Sequence, residues 1–242
     1  MCTLSWVIEA EGYQLFFNRD EQKHRAPALS PEIFTTNKLS VVMPVDPIGK
    51  GSWIASNELG VTVCLLNNYQ GNTPKGDLIS RGQIVKTLVM TNRVIDLKSA
   101  LFEIPLFQFA PFTVVIFYPS NTPSILSYCW DGEVLNEIPA VSPMISSGVS
   151  LKAVTDYRKD IYKLITETGV TAEKLDKFHQ HQHQQYGHLS VQMSRDDAQT
   201  VSVTNVVVNR DEIQMNYRPV VLDEKHELMA STCKTMSRLC FV

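Results

Sequence analysis

The sequence predicts an α+β fold built mainly from antiparallel sheets. The order of the elements supports this class, because strand patterns come first and are followed by helices, more strands, more helices and a closing hairpin. Two turn signals, Glu11-Gly12 and Asp131-Gly132, each join two apolar runs and indicate antiparallel neighbours. Two facing sheets with helices outside them would bury the many aromatic and β-branched side chains of these runs.

The elements follow in order along the chain. The first hairpin pairs residues 4–10 with residues 13–17, and a surface excursion rich in Pro, Lys and Ser is expected over residues 22–50. Further strands are predicted at residues 39–43, 53–56, 61–66, 112–118, 124–130, 133–138, 200–208 and 212–217. Helices are predicted after a Ser80 cap, over residues 94–102 and 154–168, and after a Thr171 cap. No repeat or linker marks a boundary, so residues 1–242 are predicted to form one domain.

Composition narrows the class of protein. The chain is 44% hydrophobic and 19% charged with a net charge of −3, which is typical of a globular protein and gives no basis for nucleic-acid binding. Its five cysteines are odd in number and widely spaced, which favours free thiols in a reducing compartment, and no cofactor is predicted. The start lacks a basic signal segment and no apolar stretch is long enough to cross a bilayer, so a cytoplasmic protein is expected.

Cys2 is the candidate nucleophile. If the opening runs form a hairpin, Cys2 begins one strand and Arg19 ends its neighbour, so that thiol and cation lie side by side. Removal of Met1 would leave Cys2 with a free α-amine, whose pKa of roughly 8 suits it to accept the thiol proton without a histidine. The alternative is an ordinary cysteine that happens to stand second in the chain.

Arg19 and Asp20 are the candidate partners of this thiol. They are adjacent, so in a regular strand their side chains point to opposite faces, and a bend or bulge would be needed for both to serve one site. Arg19 is expected to stabilise the thiolate and Asp20 to hold the terminal amine, whereas Asn18 or Glu21 would fix the loop. The alternative is a solvated charged turn.

Several short motifs carry a resemblance to a known family. They are Met1-Cys2, Asn18-Arg19-Asp20-Glu21, Gly51-Ser52-Trp53-Ile54-Ala55, Leu66-Asn67-Asn68-Tyr69, Ser80-Arg81-Gly82 and Thr200-Val201-Ser202. In this order they resemble the NRDE family, which includes the transport and Golgi organisation proteins. That family is in turn similar to N-terminal-nucleophile hydrolases such as the choloylglycine hydrolases and penicillin V acylases. The resemblance implies a four-layer αββα sandwich.

The resemblance also implies a function. It points to a hydrolase that cleaves a linear amide bond through a Cys2 acyl-enzyme, with Arg19 and Asp20 in the catalytic site. It equally permits a second hypothesis, in which the same scaffold binds or carries a lipid-like or haem-like ligand without turnover. Under either hypothesis the partner is a small molecule, an acyl amide or a lipid-like ligand.

Acyl transfer needs an amide donor aimed at the developing oxyanion. Asn67 and Asn68 both follow an apolar strand, and Asn68 matches the Asn-Tyr of the family, although the pair would also suit a turn. Leu151 stands where the Golgi-organisation relatives carry an asparagine that resembles the second donor. Ser147 or Ser150 would have to replace that donor, or hydrolysis would be weaker.

Aromatic residues near the motifs suggest a partly apolar substrate pocket. Trp53 and Tyr69 are expected to bind substrate, and Trp6 and Phe17 lie close to them in the predicted hairpin. Arg195 is expected at the mouth of the pocket, although a solvated turn is the alternative for such a residue.

Four histidines cluster in a Gln-rich segment, at His179, His181, His183 and His188. His179 and His183 are four residues apart and would share one helix face, a spacing that metal sites use. No third ligand stands nearby, so the segment is expected to be a helix end that enters a loop, and no metal is predicted.

Overall fold

The protein is an α+β sandwich of four layers, with two antiparallel sheets in the middle and helices on both outer faces. The computed structural model describes residues 2–36, 39–119, 124–220 and 229–239. Strands dominate the described part of the chain and helices are few. The predicted fold class is therefore confirmed.

Within the described residues, six strands form the sheet that carries the start of the chain. Its order in space is β10 (Met144–Ser146), β1 (Cys2–Glu9), β2 (Gly12–Gln22), β11 (Ala198–Val208), β12 (Glu212–Pro219) and β13 (Thr232–Ser237). The neighbouring strands pair antiparallel.

The second sheet follows chain order without a crossover and has seven strands in the described part of the molecule. They are β3 (Leu29–Thr35), β4 (Ser40–Val45), β5 (Ile54–Asn57), β6 (Thr62–Asn67), β7 (Phe112–Tyr118), β8 (Ser124–Trp130) and β9 (Leu135–Glu137). Each strand pairs antiparallel with the next.

The helices cover the two outer faces. They are α1 (Gly82–Val89), α2 (Leu97–Glu103), α3 (Leu151–Thr166) and α4 (Ala172–His179). Helix α1 packs on β5 and β6, whereas α4 packs on β1 and β2 and α3 contacts β10. No helix in the described residues is long and apolar enough to span a membrane.

Alternation along β1 explains how one strand serves two layers. Leu4 and Trp6 are buried in the core between the two sheets. Thr3 and Ser5 point the other way, where their hydroxyls bond to side chains of α3 and α4. Successive residues of a strand face opposite sides, so the same strand lines the inter-sheet space and anchors the helical layer.

Some predicted elements are corrected by the structure. Ser80 does not cap α1, because Arg81 holds the N-cap position and no side chain caps the helix there. The expected excursion over residues 22–50 contains a strand, β3, which pairs with β4. Thr171 does cap its helix, since its side chain accepts a hydrogen bond from the Lys174 N–H at 3.3 Å.

Candidate active site

The register of the first hairpin brings the candidate nucleophile to its partner. Cys2 lies directly opposite Arg19 in the β1–β2 pair, and opposite Ser146 in the β1–β10 pair. Gly12 permits this arrangement, because a Cβ there would stand 1.8 Å from the Val208 carbonyl oxygen. Glycine lets β2 begin in contact with β11, and the strand then runs to Arg19 in register.

A cleft of about 420 Å³ opens beside Cys2. Its volume lies within the range usual for small-molecule sites. Most of the exposed surface of its lining is polar. The lining residues are Cys2, Arg19, Asp20, Glu21, Arg25, Asp46, Gly49, Gly51, Ser52, Trp53, Leu65, Asn67, Leu78, Ile79, Ser80, Arg81, Gly82 and Ala110. The structure thus joins the first hairpin, the loop before β5, the end of β6 and the start of α1 in one concave surface.

Arg19 is held in place from two sides. Its guanidinium carbon lies 4.3 Å from the centroid of the Trp53 ring, a cation–π geometry. Its Nη2 is 3.2 Å from Glu21 Oε2. Both contacts fix the cation on the cleft side of the sheet, where it faces Cys2.

Asp20 serves the site through its backbone and the helical layer through its side chain. Its backbone N–H donates a hydrogen bond to the Cys2 thiol. Its Oδ1 accepts a hydrogen bond from Thr200 Oγ1 at 2.6 Å, and Oδ2 lies 3.9 Å from Arg158 Nη1. A bend or bulge is expected at Arg19 and Asp20 themselves, whereas the register shift beside them lies in β11, between Thr200 and Ser202.

Arg158 is a site neighbour that sequence reasoning missed. Its side chain is fully buried in α3, and Nη1 donates to Thr3 Oγ1 at 2.6 Å. Burial lowers the pKa of Arg158, while the charges of Asp20 and Cys2 oppose that shift. Arg158 follows Val154 by four residues, and both are buried. In the sequence, an arginine on the apolar face of a helix could have indicated this buried cation.

Burial decides the charge of the Cys2 thiol. The side chain is almost wholly enclosed, and this burial raises the pKa of Cys2. The charge of Asp20 acts in the same direction, whereas the Asp20 N–H and Arg19 favour the thiolate and are outweighed. Arg19 thus lowers the pKa of Cys2, but desolvation disfavours the charged form of the thiol more strongly.

The two candidate oxyanion donors are separated by the end of β6. Asn68, the residue expected to act, lies outside the cleft lining: its Nδ2 donates to Cys129 Sγ at 3.3 Å and to the Trp130 carbonyl at 3.4 Å. Asn67 lines the cleft instead, and its Nδ2 donates to Tyr69 Oη at 3.0 Å. The role of Asn68 as oxyanion donor stays a prediction, although its side chain points away from the cleft where the chain turns towards β8.

Some of the residues predicted to bind substrate line the cleft and others do not. Trp53 lines the cleft, but Tyr69 and Arg195 do not. Tyr69 is 44% exposed and lies against Gly148, and Arg195 pairs with Asp197 at 2.8 Å. Trp6 and Phe17 are also absent from the lining, because both are buried in the inter-sheet core. The cleft is more polar than expected.

Leu151, which replaces the family asparagine, begins α3. It lines a separate surface depression together with Ser150, which has a left-handed backbone with φ of +48°. Neither Ser147 nor Ser150 lines the Cys2 cleft. The structure therefore does not bring these two serines to the place expected of a second oxyanion donor.

His179 has a structural environment. It is fully buried, with Nε2 at 2.7 Å from Ser5 Oγ and Nδ1 at 2.7 Å from Asn18 Oδ1. Burial lowers its pKa to about 3, and the charges of Arg158 and Arg218 act in the same direction. Both ring nitrogens are engaged, so His179 has none left for a metal ion.

Solved structures of other proteins share this architecture. Penicillin V acylase from Agrobacterium tumefaciens matches with a TM-score of 0.58 at 10% identity, over 93% of this chain and 86% of that chain. The C2A mutant of conjugated bile acid hydrolase from Clostridium perfringens matches with a TM-score of 0.58 at 11% identity, over 98% of this chain and 92% of that chain. These similarities define the fold as that of the N-terminal-nucleophile hydrolases.

The family is shown by sequence. Residues 1–223 match the family described as Transport and Golgi organisation 2, and the chain belongs to it. The resemblance recognised in the short motifs is thereby confirmed. A sequence search among curated proteins found no significant match.

Proposed function

We propose that this protein is a cytoplasmic hydrolase that cleaves a linear, non-peptide amide bond with Cys2 as its N-terminal nucleophile after removal of Met1. One observation carries the proposal: Cys2 stands opposite Arg19 at the wall of a ligand-sized cleft, on a fold shared with amidases. Catalysis needs a nucleophile, a base within reach and a stabilised oxyanion.

The base in this proposal is the α-amine of the processed Cys2. A thiol with a raised pKa is protonated at neutral pH and must lose its proton on attack. Among the residues that the structure describes, no histidine lines the cleft, and His179 is engaged by Ser5 and Asn18. An α-amine with a pKa of roughly 8 has the required basicity.

The reaction then follows in two steps. The Cys2 sulfur attacks the amide carbonyl while the amine accepts the thiol proton; the C–N bond breaks, and the leaving amine takes that proton. Water hydrolyses the resulting thioester, which releases the carboxylic acid and restores the thiol. Arg19 supplies positive charge beside the sulfur, and Asp20 positions the reacting end of β1 through its backbone and its contacts with the helical layer.

The oxyanion of the tetrahedral intermediate needs a donor in the cleft. We assign this role to the Asn67 amide, because Asn67 lines the cleft. Trp53 forms part of the substrate-binding wall, since it lines the cleft and carries Arg19 on its ring.

The decisive experiment compares proteins that differ only ahead of Cys2. One form begins at Cys2, a second retains an N-terminal extension, and a third carries the same extension at the C-terminus. A panel of fluorogenic acyl amides reports hydrolysis. We expect turnover by the first and third forms and none by the second, because an acylated nitrogen is not basic.

Variants complete this experiment. Cys2→Ala is expected to abolish turnover, whereas Cys233→Ser, a change at an exposed free thiol, should leave it intact. Thermal melts of every form check that the extension does not unfold the protein. Full activity in the N-terminally extended protein would exclude the α-amine as base.

A second function is favoured by Leu151. Without the family asparagine at this position, the scaffold would hold a lipid-like or haem-like ligand and not turn it over. Ligand binding that is retained in Cys2→Ala, together with no hydrolysis of any amide in the panel by the processed protein, would support this binding function over the hydrolase.

A further inference from the structure

The cleft beside Cys2 contains a cation that no described carboxylate neutralises. The lining includes three arginines and three carboxylates, and the carboxylates are all matched. Glu21 lies 3.2 Å from Arg19 and 3.5 Å from Arg25. The Arg25 guanidinium also lies 2.5 Å from Asp46. Asp20, the third carboxylate, faces the buried guanidinium of α3 described above.

Arg81 is the cation left over. Its Nη1 donates to the Pro111 carbonyl at 2.9 Å, and among the described residues no carboxylate lies within ion-pair distance of it. Burial lowers the pKa of Arg81, and the charges of Tyr69, Cys2 and Glu21 oppose that shift. Arg81 is therefore within electrostatic range of the nucleophile. A guanidinium stays charged in proteins, so this charge is partly desolvated without a carboxylate partner in the described residues.

The backbone fixes the position of Arg81. A Cβ on Gly51 would stand 2.5 Å from the Gly82 carbonyl carbon, and a Cβ on Gly82 would stand 2.7 Å from the Ser52 nitrogen. The Ser52 N–H also donates to the Gly82 carbonyl at 3.2 Å. The loop before β5 thus touches the start of α1, and Arg81 projects from a rigid corner of the cleft.

We infer that Arg81 binds a carboxylate of the substrate, so that the amide cleaved at Cys2 is an anionic one. This inference rests on the proposed amidase function for the reacting bond. A single unmatched cation suits a monoanion, and a guanidinium presents its remaining N–H groups in the fork geometry that carboxylates accept. The carboxylate stands within a few bonds of the scissile carbonyl, because Arg81 and Cys2 line the same small cleft.

Binding to protein with Cys2→Ala tests the inference without any turnover. Two matched pairs of ligands are titrated by calorimetry: N-hexanoylglycine against N-hexanoylglycinamide, and N-hexylsuccinamate against N-hexylsuccinamide. They place the carboxylate on the amine side or on the acyl side of the amide. We expect at least one carboxylate to bind roughly tenfold more tightly than its neutral partner, as a charge-assisted hydrogen bond predicts.

Two replacements at Arg81, one neutral and one charged, separate charge from hydrogen bonding. Arg81→Gln keeps an N–H donor but removes the charge, so the preference for the carboxylate should disappear. Arg81→Lys keeps the charge and should retain part of the preference. Arg93→Gln, at an exposed arginine paired with Asp96, is the control and should leave the preference unchanged.

The outcomes distinguish this inference from the proposed activity. The role of Arg81 would be overturned if neither carboxylate bound more tightly than its neutral partner, or if neither bound detectably. A preference for the carboxylate that survives Arg81→Gln would overturn it too. Absence of hydrolysis by the processed wild-type protein would instead count against the amidase. A carboxylate preference that depends on Arg81 would still stand in that case.

Discussion

Arg158 Nη1 lies 3.9 Å from Asp20 Oδ2, and both side chains are withdrawn from solvent. The helical layer thus places a buried cation behind the strand that carries Arg19. Replacing one member of a buried ion pair leaves the other charge uncompensated, which typically costs about 3–5 kcal/mol. We expect Arg158→Met to lower the free energy of unfolding by about 3 kcal/mol, measured by urea denaturation.

A double-mutant cycle shows whether the pair is the cause. Asp20→Asn in the Arg158→Met background removes both charges, so the double variant should be more stable than the sum of the single losses implies, by about 1–3 kcal/mol. Strictly additive losses would mean that Arg158 acts through packing and through its bond to Thr3 alone.

Asn67 and Asn68 are expected to differ in what they control. Removing an oxyanion donor lowers kcat by about 10²–10³, and this loss is expected for Asn67→Ala in the amide-hydrolysis assay. Asn68→Ala should mainly lower stability, because its amide bonds to Cys129 and Trp130. Tyr69→Phe removes the hydroxyl that accepts a hydrogen bond from Asn67 and should keep most activity. A larger loss of activity in Asn68→Ala than in Asn67→Ala would reverse the assignment.

Thiol labelling tests the effect of burial at Cys2. The pKa of Cys2 is raised, and that of fully buried Cys64 is raised well above its usual value, whereas Cys233 is exposed. Iodoacetamide at pH 7 should therefore modify Cys233 first, and the rate at Cys2 should rise steeply towards pH 9. Mass spectrometry of the peptides gives each rate. Faster labelling of Cys2 than of Cys233 at pH 7 would mean that Arg19 prevails over burial.

Acid should weaken the protein through His179. Its pKa is about 3 in the folded state, against about 6.5 in the unfolded chain, so the unfolded state binds the proton first as pH falls. The contribution of neutral His179 to the free energy of unfolding is complete above about pH 6.5 and is lost progressively as the pH falls towards 3. Urea unfolding at pH 7 and pH 5 measures the loss, and His179→Gln should show a smaller difference between the two. An equal loss of stability between pH 7 and pH 5 in wild type and variant would mean that His179 does not cause the loss.

Local patterns predicted the part of the site that depends on one hairpin. The Glu11-Gly12 turn places Cys2 opposite Arg19, as the register confirms. The Asp20 side chain contacts Thr200 and the buried Arg158. Arg158 could not be assigned to Asp20, because that contact joins residues far apart in the chain. The sequence of its helix shows an arginine among apolar positions but does not indicate which residue it contacts.

The positions of Asn67 and Asn68 relative to the cleft could not be predicted from the sequence for a different reason. Both follow the same strand, and the direction of each amide depends on where the chain leaves the sheet. Asn68 turns towards β8 because its N–H bonds to the Pro111 carbonyl at 3.1 Å and its side chain reaches Cys129. No local pattern contains these partners.

The alternation within residues 18–21 has a consequence for inherited variation. Asn18 donates to the carbonyls of His179 and Val191, at 2.9 Å each, and so joins the sheet to the chain that leaves α4. Arg19, its immediate neighbour, faces the cleft. Under the proposed hydrolase function, a missense allele at Asn18 is expected mainly to reduce the amount of folded protein, whereas one at Arg19 is expected mainly to reduce its activity. Two alleles one codon apart would then differ in whether a rescue has to restore folding or chemistry.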